Sequence, residues 1–131
     1  MGQYITREDF DRRMNKEDLD TLIVKEEANL EEAIETAEGV INGYLSLVCE
    51  TPLNISPIPG ILVQAAFDIS IYNLHSRVQF RDIPEFVRDK YEDALKMLTK
   101  ISRGEIIIKE IPAEIKEDKV IMQSEARRTY R

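Results

Sequence analysis

Between Pro59 and Ser76 the chain carries a helix-length run with almost no polar face. Ile61, Leu62, Val63, Ala65, Ala66, Phe67, Ile69, Ile71, Tyr72 and Leu74 cover nearly every direction around a helical axis. A helix apolar nearly all round must be covered by its neighbours, so this segment is expected at the centre of the fold. Asp68, Asn73 and His75 are its polar exceptions. A charge in such a place needs partners, because an unpaired buried carboxylate is expensive.

The rest of the chain supplies amphipathic helices to cover it. Leu30, Ile34, Ala37, Ile41, Tyr44 and Val48 recur in alternating steps of four and three, widened by Ala33, Val40 and Leu45. Asn29 is placed to cap this helix, with Glu32 at its third position. Gly39 and Gly43 lie four apart inside it, at about 1 kcal/mol each relative to Ala. Either another element approaches closely along that face or the pair is merely tolerated. A third long helix is expected from about Pro84 to Arg103, with Val87, Tyr91, Ala94, Leu98 and Ile101 as its stripe. Gly104 is suited to close it in a left-handed conformation.

Two short helices precede these. Thr6 with Asp9 three residues on resembles a capping box, which predicts a helix over about 7–14. Asn15 restarts a second, carrying Leu19, Leu22 and Ile23. Between the long helices, three prolines fall within residues 52–59, so no helix continues there. Leu53, Ile55 and Ile58 give that loop apolar side chains to pack.

After Gly104 the composition changes. Glu105-Ile106-Ile107-Ile108-Lys109-Glu110-Ile111 is β-branched and short, which predicts a strand ended by Pro112. The remainder is polar and ends Arg127-Arg128-Thr129-Tyr130-Arg131. The expected architecture is mainly α. It has a helical core over 1–104, made of two short and three longer helices, then a short strand and extended tail over 105–131.

Charge bears on function. The net charge of the chain is −7. Residues 1–50 hold 13 acids and 5 bases, whereas residues 51–131 hold 12 acids and 13 bases. An acidic first half opposes binding along a phosphate backbone, which needs clustered Lys and Arg. It is either an ordinary solvated face or a surface that repels nucleic acid. No stretch of about 18 apolar residues predicts a membrane span. The N-terminus has no basic segment leading into an apolar one, as a secretory signal would. A single cysteine, Cys49, permits no intrachain disulfide and fits a reducing compartment.

No catalytic constellation is visible. His75 is the one histidine, so it lacks a second imidazole for a metal site. Its place at the end of an apolar helix favours a structural role over general-base work. Cys49 reads as a small packed hydrophobe. Glu92 and Asp93 are adjacent and point in different directions, as solvated helix residues do. The chain is therefore expected not to be an enzyme and to need no cofactor.

Several motifs, taken in order, resemble the phage Mu-type head–tail joining family. They are Tyr4-Ile5-Thr6-Arg7-Glu8-Asp9-Phe10, then Gly43-Tyr44-Leu45 with Pro52-Leu53 and the proline loop. Asp68-Ile69-x-x-Tyr72-x-Leu74-His75 follows, then Val87-Arg88-x-x-Tyr91-x-x-Ala94-x-x-x-Leu98, closing with Ile101 and Gly104. The resemblance covers about residues 4–108. It implies a helical adaptor in the neck of a tailed-phage virion, made in the host cytoplasm. It implies a ring beneath the portal, twelve-fold by analogy, linking capsid to tail, and it carries over no catalytic residue.

The region beyond about residue 108 lies outside the resemblance; from the strand-like composition and the uneven charge, Ile106, Ile107, Ile108, Ile111 and Tyr130 are expected to contact a neighbouring copy, the portal or another neck or tail protein. Glu31, Glu35 and Glu38 are expected to face a channel through which genomic DNA slides without specific binding. The alternatives are a head- or tail-completion protein at another neck level, or a cytoplasmic regulatory binding module.

Overall fold

A computed structural model describes residues 4–51, 55, 57–77 and 82–109. Five helices follow one another: α1 (Arg7–Arg13), α2 (Lys16–Leu22), α3 (Glu27–Leu45), α4 (Gly60–Ser76) and α5 (Glu85–Ser102). The three long helices pack pairwise, with α4 lying against both α3 and α5. No residue of α4 between Ile61 and His75 is exposed, as its composition requires. Its core contribution is Leu62, Ala65, Ala66, Ile69, Ile71 and Leu74. These meet Leu30, Ala33, Ile34, Ala37, Ile41 and Leu45 from α3, and Val87, Ala94, Leu98 and Ile101 from α5. Tyr72 and Tyr91 join α4 to α5 as a stacked pair, with centroids 3.9 Å apart and planes 6° from parallel.

The N-terminal segment seals one side of the bundle. Tyr4 and Ile5 are buried ahead of α1. Thr6 caps α1 through a complete capping box with Asp9. Phe10, fully buried, packs its ring 5.3 Å from that of Phe67 on α4. Asn15 caps α2, which buries Leu19, with Ile23 just beyond it.

The link from α2 to α3 departs from expectation. Asn29 does not cap α3, which starts at Glu27 behind a Glu26 that makes no capping bond. The Asn29 amide instead donates to the Ile23 carbonyl at 2.8 Å, and its oxygen accepts from Arg77 at 3.1 Å. It thus satisfies a carbonyl at the end of the preceding helix and ties it to the end of α4.

Directly before that link, Val24 and Lys25 have φ of 56° and 59°. Val24 N–H bonds the Thr21 carbonyl and Lys25 N–H bonds that of Asp20, the paired bonds of a Schellman ending. Glycine is the residue such a position favours, and a β-branched side chain there costs roughly 1–2 kcal/mol. The Val24 side chain is exposed, so little packing offsets this. Val24→Gly is expected to raise stability by about 1 kcal/mol, since glycine's extra unfolded-state freedom takes back part of the relief. Urea denaturation measures it, and a loss of stability would mean that Val24 makes a contact worth more than its strain.

The chain after α5 differs from the expected strand over its described part, 105–109; residues 110 and 111 lie outside the described residues. Gly104, at φ 80°, closes α5 in the same manner: Gly104 N–H bonds Ile101 and Glu105 N–H bonds Lys100. Among the described residues, 105–109 form turns and bends and no strand. Ile108 is buried in the chain's own core, Ile106 packs against it, and Ile107 is 68% exposed. Exposure alternates along 106–108, and the left-handed turn folds this stretch back onto the helices. Ile111 and Tyr130 lie outside the described residues, as do Leu53 and the rest of the anticipated tail.

Candidate interaction surfaces

One of the clefts among the described residues combines an apolar floor with several charged and polar groups. It has a volume of about 250 Å³ and lies where α1, α4 and the start of α5 converge. Met14, Phe67, Ile71, Phe86 and Val87 make it apolar, and Arg13, Gln64, Asp68, His75 and Lys90 supply the polar groups. Phe86, one turn into α5, is 65% exposed at its mouth.

The polar groups are linked. Arg13 reaches across from α1 and donates to the Gln64 side-chain oxygen. This holds its guanidinium over the Phe67 ring, 5.7 Å from the centroid. Gln64 in turn donates to Asp68 at 3.0 Å, one helical turn away. Burial pushes the Asp68 carboxyl above the ordinary range, while the Gln64 bond, Lys90 and Arg13 pull it back and Asp93 pushes it up.

The sign of the consequence follows from linkage. A carboxyl with a folded pKa above its unfolded 3.8 opposes folding while ionised. That penalty is present at neutral pH and is relieved as pH falls through the folded pKa towards 3.8. Asp68→Asn keeps an acceptor for Gln64 and is expected to stabilise the protein at pH 7. Its advantage should shrink as pH approaches 4. Denaturation at both pH values tests this, and an equal or negative difference at pH 7 would contradict it.

A second, wider groove runs between α3 and α5. Val40, Tyr44, Leu47, Tyr91 and Leu95 line it, beside Gly39 and Gly43. Among the described residues, nothing comes within 4 Å of where a Cβ on either glycine would sit. The glycine pair therefore faces open space rather than a close-packed helix. Burial and the neighbouring Tyr72 and Tyr44 rings push the Tyr91 phenol above its ordinary range, so it stays neutral here.

The three acids expected to share a channel-facing surface do not share one. Glu31 and Glu35 are exposed on α3. Glu38 is buried, and one of its carboxylate oxygens accepts from the Tyr4 backbone N–H at 3.2 Å. Steps of four and three keep it on the same side of α3 as Glu31 and Glu35, and it is buried because the N-terminal segment covers it. Tyr4 also donates its hydroxyl to Asn42, one turn on, so Glu38 and Asn42 together anchor the segment. Sequence periodicity alone could place Glu38 at the edge of the stripe, but the segment covering it is a tertiary matter. Two further acids of α3 are engaged on the surface: Glu27 with Arg7, and Glu32 with Arg77 at 2.9 Å. Such exposed pairs contribute at most about 1 kcal/mol.

His75 borders the mixed cleft and Cys49 is buried, its thiol directed at the Leu45 carbonyl at 3.6 Å. Among the described residues, no group of three or more His, Cys, Asp and Glu side chains is placed to hold a metal ion. Nor is any helix among them long and apolar enough to cross a membrane.

Five helices with a buried central one, and apolar clefts at the helix junctions, describe a helical protein whose distinctive features are surfaces. The chain belongs to the family described as bacteriophage Mu, Gp36, whose model matches residues 4–123. It is thus a member of a bacteriophage protein family. The match runs past residue 108, where the motifs resembling the family stop, and takes in fourteen residues beyond the last described one. No curated protein and no solved structure matches the chain.

Proposed function

We propose that this protein is a structural component of a tailed-phage virion, a neck adaptor that docks on the portal as a ring and links capsid to tail. The observation that carries this reading is family membership over residues 4–123. The surface supports it. An adaptor must meet the portal, its ring neighbours and tail-side proteins, each through an apolar centre with a polar rim. Val24, Leu47, Phe86 and Ile107 are large apolar side chains left exposed at separate points of the fold. Contacts between unlike surfaces close into a ring when the rotation between copies fits. A twelve-fold ring is the stoichiometry that this reading adopts from the head–tail joining resemblance.

Within that ring, Glu31 and Glu35 are the acids available to line a DNA channel. A lumen with carboxylates offers phosphates nothing to bind, so the genome slides. Glu38 has no part in this, since it is engaged inside the fold.

Cryo-electron microscopy of the neck in purified virions tests the reading. A ring of copies between portal and tail is expected. A chain found at another neck level would make it a completion protein, and a chain absent from the particle would end the structural reading in favour of a regulatory binding module.

A further inference from the structure

The outer face of α5, through the Arg103 that ends it, carries six charges in one line. Glu85, Asp89, Glu92, Lys96, Lys100 and Arg103 follow in steps of four, three, four, four and three, so they share one side of the helix. All six are exposed. The first three are acids and the last three are bases. Arg88 and Asp93 lie off this line, one on either side of it. Among the described residues, Arg103 with Glu105 at 3.9 Å is the one ion pair that any of the six makes.

The helix by itself does not explain the pattern. Its dipole favours Glu85 at the start and Lys100 and Arg103 at the end. That effect fades within a turn, so it does not account for Asp89, Glu92 or Lys96. Within each half, like charges stand three and four residues apart, which costs the helix stability. The line is, however, complementary to itself when reversed. Laid antiparallel on a copy of itself, Glu85 meets Arg103, Asp89 meets Lys100 and Glu92 meets Lys96. All three pairs are centred at or next to Ala94, so one register satisfies them together. A parallel arrangement sets acid on acid and base on base.

Exposed ion pairs alone bind weakly, because water and salt screen them. The line has an apolar neighbour. Tyr91 and Leu95 stand one residue before Glu92 and Lys96, and they border it on the side of the groove between α3 and α5. Val40 and Tyr44 continue that groove and Leu47 is exposed in it. An apolar patch rimmed by charge is the composition of a protein interface.

We propose that this face binds a second copy of the chain about a two-fold axis. The two α5 helices run antiparallel with acidic and basic halves matched, and the two grooves face each other alongside. Complementary charge sets register and orientation, and apolar burial holds the pair. Such a contact joins the same patch on both copies and closes on itself. It differs in kind from the unlike surfaces that build a ring, and it does not rest on the neck reading.

Sedimentation of the full chain tests this. A dimer is expected, and it should weaken as salt rises. Asp89→Lys with Glu92→Lys makes the line largely basic, and Lys96→Glu with Lys100→Glu makes it largely acidic. Each variant alone is expected to dimerise at least tenfold more weakly than the unaltered chain. Mixing the two variants should restore a dimer holding one of each, which a folding defect could not do. Orientation is read by crosslinking, with Cys49 left in place because it is buried. Glu85→Cys chains mixed with Arg103→Cys chains should crosslink at least tenfold more than Glu85→Cys chains by themselves. A chain that stays monomeric at millimolar concentration overturns the proposal. So does a dimer that neither charge reversal weakens, one that mixing does not restore, or a crosslink no higher than its control.

Discussion

Phe10→Ala is expected to destabilise this protein by about 3–5 kcal/mol, the range for emptying a well-packed aromatic site. Phe10 is the one buried residue of α1, and it is fully buried. A helix of seven residues has no stability of its own in water, because nucleation costs more than so few hydrogen bonds return. The capping box contributes about 1 kcal/mol, too little to hold it. Docking of α1 therefore depends on the Phe10 ring against Phe67. Against a total of roughly 5–15 kcal/mol for a domain, this is a large fraction. Thermal melting should show a fall on the order of 10 °C or more. Arg13 should also leave the Phe67 ring, opening the mixed cleft. A loss below about 1 kcal/mol would show that α1 is held by something other than this ring.

The second large effect concerns where the chain can be cut. Ending it after Lys109 keeps Ile106 and Ile108 in the chain. Ending it after Gly104 removes Ile106 and Ile108. Complete burial of an isoleucine contributes roughly 1.5–3 kcal/mol, and Ile106 adds part of that again. The shorter chain should therefore lose about 2–4 kcal/mol. Urea denaturation of the two truncations side by side measures the difference. Equal stabilities would show that the two isoleucines contribute nothing to the core in solution. Residue 104 looks like the natural boundary in the sequence, since a helix ends there and the composition changes. Among the described residues, burial carries the core past that point, through Ile106 and Ile108.

Much of the architecture was legible without coordinates. The apolar run of α4 has only one physical outcome, burial on every side, and that alone makes it the centre of the bundle. The stripes of α3 and α5 point at it because helical spacing leaves them no other face. Caps and stops were equally local: Thr6 with Asp9, Asn15, and Gly104 each act through bonds within a few residues. The family motifs across residues 4–104 are largely these same core and capping positions.

What sequence could not assign lay wherever two distant segments meet. Asn29 has the chemistry of a cap, yet the chain reversal at Val24 and Lys25 brings Ile23 and Arg77 to its amide instead. Glu38 reads as one more acid on an acidic helix until Tyr4, thirty-four residues earlier, covers it. Ile106 and Ile108 read as a strand seeking a partner until a left-handed glycine returns them to their own core. The mixed cleft drew Arg13, Phe67, Asp68 and Lys90 from three helices, and no spacing rule joins residues so far apart. Local periodicity and capping are encoded within a turn or two, so the sequence alone determined the helices and which of them is central. Which polar groups are buried, which apolar ones stay exposed and where the clefts open depend on contacts across the chain, and only the tertiary structure decided those.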